Sequence, residues 1–519
     1  MAARNGRPVT DDVIRTGSLS VYELFAAQVA RNPNGVAISQ LNETWTYSVL
    51  QDRVRRTAAL LRGLGIMPGQ RIALMAENRH EYAEIELAAA MIGAIVACQN
   101  WRLADDELRH CINLVSPSLV IVSERYQEAI NRLDTGLVTC LTLGDAYEQA
   151  SRQVEPLANS GNVDPEDGLV ILYTSGTTGL PKGALISHRA EIARMAVLRM
   201  DLNVTREDGF VAWAPMFHMG STDQVLGALM SGATVHIVDG FNADRIVDIM
   251  EQHAIGWMLL MPGSIEPVVE ILEKSGRCAK SIRAVGAMID LVPLSLAAKL
   301  SRLTNAPYLN SFGATETGLA PASAMLIPPG EMPETLSKIQ SSLCDVRLLD
   351  PDGHDVPYGT PGEVAVRGPT VFSGYWNADD VNRRDFQGGW FRMGDLFQRS
   401  VNGGFDFVDR AKYMIKSGGE NIYPAEIERV LLSDKRIREA VVIRRKDAHW
   451  GEIPIACIAR ADKELTEADV DSLCRGALAG YKRPRGVYFM SYDAFPRSTT
   501  GKILRHEIEV MVQMGQIHE

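Results

Sequence analysis

Residues 173–183 read Tyr-Thr-Ser-Gly-Thr-Thr-Gly-Leu-Pro-Lys-Gly. Three glycines and four aliphatic hydroxyls crowd into this segment, which carries Lys182 near its end. That set suits an anion such as phosphate. Glycine lets backbone N–H groups turn toward the anion, hydroxyls add donors, and lysine adds charge. Just upstream, Leu169–Leu172 is a short apolar run that predicts a buried strand feeding the loop. The segment departs from the GxxxxGK[ST] loop, because Pro181, not glycine, precedes Lys182. A plain surface turn is the competing reading, and the density of glycine and hydroxyls behind a strand weighs against it.

Five further segments hold groups able to do chemistry. Pro215–Gly220 is an apolar turn around His218, flanked by Phe217 and Met219. Asn310–Gly318 (Asn-Ser-Phe-Gly-Ala-Thr-Glu-Thr-Gly) sets Glu316 among hydroxyls and glycines. Gly389–Asp395 ends in an acid, Ser417–Pro424 opens on Ser417-Gly418-Gly419-Glu420, and Pro496–Arg505 contains Lys502. Each has a structural alternative: Asp395 as a turn acid, Glu316 at a helix start, Lys502 as a solvated lysine, His218 as a packed histidine.

The elements that position these groups alternate in type. Residues 47–64 carry Val54, Ala58, Leu61 and Leu64 near helical spacing, with Gly65 as the stop. Ile72–Met75 reads as a strand, 80–92 as a helix, Leu119–Val122 as a strand, and the pattern returns at 233–238 and 281–286. Such alternation predicts an α/β fold with parallel sheet. Between 359 and 409 glycines and aromatics cluster, as in short strands with tight turns. A small α/β unit follows from 411, its last helix starting near Ile503, and the boundary is expected at Asp409–Lys412.

The chain of 519 residues exceeds a single core and predicts two or more domains. A net charge of −11 argues against a general nucleic-acid binder. Seven scattered cysteines without a CxxC pair argue against a disulfide frame or zinc site and for a reducing compartment. The first residues lack the apolar core of a signal peptide, and no run reaches the about 18 apolar residues of a membrane span. The expected address is the cytoplasm.

Taken in order from about residue 20 to 510, and with LAGYKRPRGVYF at 478–489, these segments resemble the adenylate-forming superfamily of acyl-CoA synthetases, peptide-synthetase adenylation domains and luciferases. The resemblance implies a large N-terminal domain, 1–410, of α/β sheets with helices plus a distorted β-barrel (the β-rich part about 345–409). It also implies a small mobile α+β domain, 411–519, hinged at Lys412. The implied reaction is acyl-AMP formation from a carboxylic acid and ATP with Mg²⁺, then transfer to coenzyme A. In that scheme Thr174, Ser175, Gly176, Thr177, Thr178 and Lys182 cover the phosphates, and Glu316 with Thr174 holds Mg²⁺. Thr315 meets the α-phosphate, beside Gly313 and Ala314. Gly286 and Ala287 pack adenine, with Asn310, Ser311 and Phe312 opposite. Asp395 accepts from the ribose hydroxyls, near Phe407 and Arg410, and Lys502 bridges the acid and the α-phosphate. His218, Phe217, Met219, Gly313 and Leu319 belong to the acyl side. Ser417, Gly418, Gly419 and Glu420 line the pantetheine path, and Arg444, Arg445, Lys446, Lys482 and Arg483 are candidates for the CoA 3′-phosphate. The partners are small molecules, and a homodimer is compatible with the reading.

Three departures from the family pattern stand out: Val285-Gly286-Ala287-Met288-Ile289-Asp290 where Ser-Gly-Gly-Ala-Pro is frequent, Ile339–Leu343 where a Gly-Lys-Pro type turn is usual, and Phe312 where tyrosine is common. They leave open a member specialised for one half-reaction. Transfer to a separate carrier protein, a luciferase-like oxidoreductase and a non-catalytic nucleotide binder remain alternatives to an acid–CoA ligase for an apolar fatty or aryl acid.

Overall fold

The short apolar runs become interior strands. The computed structural model describes residues 16–133, 139–174, 180–417, 420–447, 449–497 and 503–517. It divides into two units, Met1–Asp345 with Val366–Phe391, and Val346–Ala365 with Arg392–Glu519.

In the first unit a six-stranded sheet runs in the order Cys140–Leu143, Leu119–Ser123, Arg71–Met75, Ile95–Cys98, Gly168–Thr174, Lys182–Ser187. The first five strands are parallel and the last is antiparallel to its neighbour. Ile72, Leu74, Val96, Val120 and Val170 are all buried. Helices cover both faces of such a sheet, so its strands read as continuous apolar runs without alternation. Helix Tyr47–Gly63 starts on Thr46, whose side chain accepts from the Val49 N–H, and stops before Gly65 at φ +86°. Helix His80–Ile92 is buried nearly all round and takes Glu84 with it, held by Arg53, Thr57 and Tyr147.

A second sheet, Glu43–Thr46, Val36–Gln40, Val235–Ile237, Phe210–Ala212, is parallel except for its first strand. A third, Ala254–Met258, Ser281–Val285, Tyr308–Asn310, Met325–Ile327, is parallel except for its last. Its core includes Trp257, Ile265, Leu300 and Tyr308.

The second unit contains most of a sheet with strands Asp345–Leu349, Gly362–Arg367, Trp390–Arg399 and Phe405–Arg410. Its other sheet joins Glu420–Ile422, Ile415–Ser417, Gly451–Arg460 and Ile437–Asp447, with Val487–Phe489 alongside Gly451–Arg460. Here the period of two is plain. Val442, Ala456 and Ile458 face a core with Ile427 and Cys474, while Val441, Ile443, Ile455 and Cys457 face one with Ile508.

The expected boundary at 410–411 falls inside this second unit. Within it the buried Asp409 carboxylate accepts from the N–H groups of Arg410 (2.6 Å) and Ala425 (2.8 Å), between strand Phe405–Arg410 and helix Pro424–Leu432. The last helix begins at Arg505, because Ile503 is taken up by a bridge to Arg497.

All seven cysteines are free thiols, and Cys98, Cys111, Cys457 and Cys474 are buried. Burial pushes the thiols of Cys111 and Cys457 up to about 12. Among the described residues no helix is long and apolar enough to cross a membrane.

Candidate active site

Strand Gly168–Thr174 delivers Thr174, and strand Lys182–Ser187 returns antiparallel with Lys182 opposite Thr174. The charge at this end of the strand pair is therefore the lysine ammonium. Ser175, Gly176, Thr177 and Thr178 lie outside the described residues. Segment 372–376 lies along the Lys182–Ser187 strand. The Ser373 N–H donates to the Leu185 carbonyl (2.8 Å), the Leu185 N–H to Gly374 (3.0 Å) and the Trp376 N–H to Gly183 (2.7 Å). Tyr375 is thereby set beside Lys182, whose Nζ lies 3.9 Å from its ring centroid.

The Tyr375 hydroxyl donates to Glu316 Oε1 at 2.7 Å. Burial, then the neighbouring Glu316 charge, raises the Tyr375 pKa, so the phenol stays a donor. The loop that carries Glu316 is fixed on several sides. Phe372 N–H donates to the Glu316 carbonyl (2.8 Å), and Arg194 Nη2 donates to the Thr315 carbonyl (3.0 Å). Gly313 is required, since a Cβ there would lie 2.0 Å from the Gly318 carbonyl oxygen. Glu316 itself is half-buried, and its Oε2 carries no hydrogen bond among the described residues. A partly solvated carboxylate with an uncommitted oxygen fits a hard divalent cation.

Beneath this loop Arg194 pairs with Asp223 at 3.1 Å, both side chains 3% exposed, and also donates to the Thr370 carbonyl. Glu191 is buried in the same pocket. Burial, then the Asp223 charge, pushes its carboxyl well above the usual carboxylate range.

The departing segment 286–290 is specifically held. Gly286 has φ +77°, and a Cβ there would stand 2.3 Å from the Tyr308 ring, so only glycine fits. Trp257 Nε1 donates to the Gly286 carbonyl (2.8 Å), the Tyr308 hydroxyl to that of Ala287 (3.0 Å), and the Met288 N–H to Ser311 Oγ (3.1 Å). Lys338, fully buried, donates from Nζ to Asp290 Oδ2 and to Asn310 Oδ1, both at 2.6 Å. The Asn310 amide in turn donates to the Leu336 and Ser337 carbonyls. Ser311 and Asn310 are buried, while Phe312 and Ala314 are partly exposed.

His218 caps helix Met219–Ser231, its Nδ1 accepting from the Gly220 N–H at 3.2 Å, which leaves the other ring nitrogen to carry the proton. Asn78 holds the preceding turn by donating to the Ala214 carbonyl and accepting from the Met216 N–H. Phe217 is buried edge-on against Trp101 at 5.8 Å, and Trp101 stacks on Tyr126. Leu319 is buried in the core of the third sheet, and Met219 is half-buried.

In the second unit Asp395 and Arg410 face each other across paired strands, with Arg410 Nε 3.1 Å from Asp395 Oδ1. Phe407 packs edge-on against Phe397. Lys412 Nζ lies 4.8 Å from the Tyr413 ring centroid. Ser417 pairs with Glu420 on the antiparallel neighbour strand, and Gly418, Gly419 and Lys502 lie outside the described residues. Of the basic candidates, Arg444 pairs with Glu509 and Lys482 with Glu426.

Sequence reasoning missed Tyr375, Arg194, Asp223, Lys338 and Asp290. Tyr375 left a signal in the Gly374-Tyr375-Trp376 run that read as turn texture, and Asp290 ended the departing segment 285–290 without a role of its own. The ion pairs join residues 29 and 48 positions apart, which no local pattern reveals.

A family model for AMP-binding enzymes matches residues 25–376, and one for the AMP-binding enzyme C-terminal domain matches 426–502. The chain is 33% identical to an indoleacetate–CoA ligase of Aromatoleum aromaticum, over 95% of this chain and 98% of that protein. It is 30% identical to a feruloyl-CoA synthase of an Amycolatopsis species, over 92% and 96%. The crystal structure of ATP-bound MatB from Rhodopseudomonas palustris matches with a TM-score of 0.82 at 25% identity, covering 96% of this chain and all of that one. With two domain models in sequence and full-length relatives of one chemistry, the chain belongs to the adenylate-forming AMP-binding enzymes and, within them, to the AMP-forming acid–CoA ligases.

Proposed function

We propose that this chain joins an aryl carboxylic acid to coenzyme A in two steps. A carboxylate oxygen attacks the α-phosphorus of ATP and pyrophosphate leaves. The CoA sulfur then attacks the acyl carbon, and AMP leaves with the bonding electrons. Both substrates of the first step are anions, so the site must neutralise them and hold them in line.

The observation that carries this reading is the Tyr375 contact, which gathers Lys182 and Glu316 at one place. Lys182 and the hydroxyls of Thr174, Ser175, Thr177 and Thr178 take the β- and γ-phosphates. Glu316 and Thr174 hold Mg²⁺, which when bound draws charge from the phosphate oxygens. Thr315 meets the α-phosphate. Adenine lies between Gly286–Ala287 and Asn310–Phe312, whose spacing the Lys338 and Ser311 hydrogen bonds maintain. Asp395 accepts from the ribose hydroxyls, with Arg410 and Phe407 nearby, and an ionised carboxylate suits paired hydroxyl donors. Lys502 steadies the attacking carboxylate against the α-phosphate. His218 stands where the thiol meets the acyl carbon, and Ser417–Glu420 accompany pantetheine after rotation about Lys412.

An aryl acid is supported by the relatives named for indoleacetate and ferulate and by Phe217, the residue before His218, whose ring packs edge-on against Trp101, itself stacked on Tyr126. The free thiols support a reducing, cytoplasmic address.

The test is ATP- and Mg²⁺-dependent pyrophosphate release across aryl and fatty acids, with and without CoA, the products read by mass spectrometry. AMP and an aryl-CoA thioester are expected. Turnover of fatty acids alone overturns the aryl assignment. Thioester from supplied acyl-AMP without pyrophosphate release from any acid overturns the two-step scheme and directs attention to segment 286–290.

A further inference from the structure

We propose that Tyr375 is a positioning residue that presets both charged ends of the nucleotide site, the Glu316 carboxylate through its hydroxyl and the Lys182 ammonium through its ring. This rests on the reading of Glu316 as the cation-holding acid and Lys182 as a phosphate contact. Glu316 and Lys182 arrive on different elements, a tight hairpin at Gly313–Pro321 and the Lys182–Ser187 strand. Both side chains are long and lose rotamer freedom when ordered. Placed together they would tend to neutralise each other and leave less charge for the ligand. Tyr375 offers each a partner without opposite net charge. The phenol O–H gives Glu316 Oε1 a 2.7 Å charge-assisted hydrogen bond, and the ring face lies 3.9 Å from the Lys182 ammonium.

The tyrosine is itself unusually well fixed. Its N–H donates to Asn382 Oδ1 and its carbonyl accepts from Asn382 Nδ2, both at 2.8 Å. Ala184 forms a backbone bridge to it. Phe372, three residues earlier, packs edge-on against the Tyr375 ring at 4.8 Å and donates its N–H to the Glu316 carbonyl. The same short segment thus grips the backbone of the acid and, through Tyr375, its carboxylate. A ring held this rigidly sets the distance between the two charges before any ligand arrives, which lowers the ordering penalty of binding.

Tyr375→Phe removes the hydroxyl and keeps the ring, whereas Tyr375→Leu removes both. Binding of Mn²⁺ in the presence of ATP, read by electron paramagnetic resonance, reports the metal site without turnover. Tyr375→Phe is expected to weaken Mn²⁺ about ten- to a hundredfold, the scale of one hydrogen bond to a charged group. It should raise the Mg²⁺ requirement of pyrophosphate release in proportion, recover near-normal turnover at high Mg²⁺, and leave the KM for the acid unchanged. Tyr375→Leu should further weaken ATP measured without metal. Glu316→Gln is the control. If Glu316→Gln weakens Mn²⁺ and Tyr375→Phe does not, the positioning role is overturned while the site reading stands. If Glu316→Gln leaves Mn²⁺ binding intact, the site reading falls and the role of Tyr375 with it. A Tyr375→Phe defect that Mg²⁺ does not rescue also overturns the proposal, because it would mark a structural role.

Discussion

Lys338 offers a sharp test of how the proposed adenine side of the site is held. Its side chain is wholly buried, and its Nζ donates at 2.6 Å to both Asp290 and Asn310. Lys338→Met keeps the volume and removes the charge. Breaking a buried pair by deleting one partner costs about 3–5 kcal/mol, but the Asp290 side chain keeps 23% exposure and can be hydrated, so about 2–3 kcal/mol is expected. Asp290→Asn leaves the ammonium as the stranded charge. With no exposure of its own, that ammonium brings the full penalty of about 3–5 kcal/mol. The double variant removes both charges and loses only the hydrogen bonds, about 1–2 kcal/mol. It should therefore be more stable than Asp290→Asn alone. Urea melts of all four proteins, followed by tryptophan fluorescence with Trp257 in the same core, give the cycle directly. ATP affinity should fall in both singles, because Asn310 loses its anchor or its anchor loses its own partner. If the two effects add to within about 0.5 kcal/mol, the pair is not coupled and the reasoning fails.

Gly286→Ala places a methyl group 2.3 Å from the Tyr308 ring in a left-handed backbone, so the KM for ATP should rise about tenfold or more as segment 286–290 shifts, checked by ATP–pyrophosphate exchange. Lys502→Ala should cripple acyl-AMP formation and spare thioester formation from supplied acyl-AMP; equal loss in both assays would remove Lys502 from its role. Burial lowers the His188 pKa to about 4, while its Nδ1 accepts from the Val21 N–H. The folded state therefore binds fewer protons than the unfolded one, and the stabilisation present above pH 6.5 is lost as pH falls toward 4, by about 3 kcal/mol. Thermal melts between pH 7 and 4.5 should show this decline, flattened in His188→Gln.

The parts of the fold that were legible are those whose signal is local. Ile72–Met75 and Leu119–Val122 are buried on both sides, so their composition alone marked them as interior strands. Tyr47–Gly63 was marked by its periodicity and its glycine stop. The strand Lys182–Ser187 was harder, because it follows the glycine-rich loop directly and reverses the parallel order. Helix His188–Asp201 was opaque for another reason. Patterning assumes that charges face water, yet Glu191 and Arg194 are buried on it and owe their place to Asp223 on a different helix. For the proposed site, ordered motifs singled out Thr174, Lys182, Glu316 and the 310–315 run. Tyr375 and Lys338 meet Glu316, Lys182, Asp290 and Asn310 over long sequence separations through single side-chain contacts, and no spacing rule records such contacts.

A chain that makes mixed anhydrides faces a chemoselectivity problem within its own sequence, since any thiolate in reach could be acylated. Burial holds the thiols of Cys111, Cys344 and Cys457 near about 12 and that of Cys98 well above its ordinary value. At neutral pH only about one in 10⁵ of the first three is ionised, and the thiolate is the nucleophile. Self-acylation at these four buried or half-buried positions is kinetically suppressed, which narrows the competition for the acyl group to thiols that reach water, the exposed Cys140 and Cys278 among them.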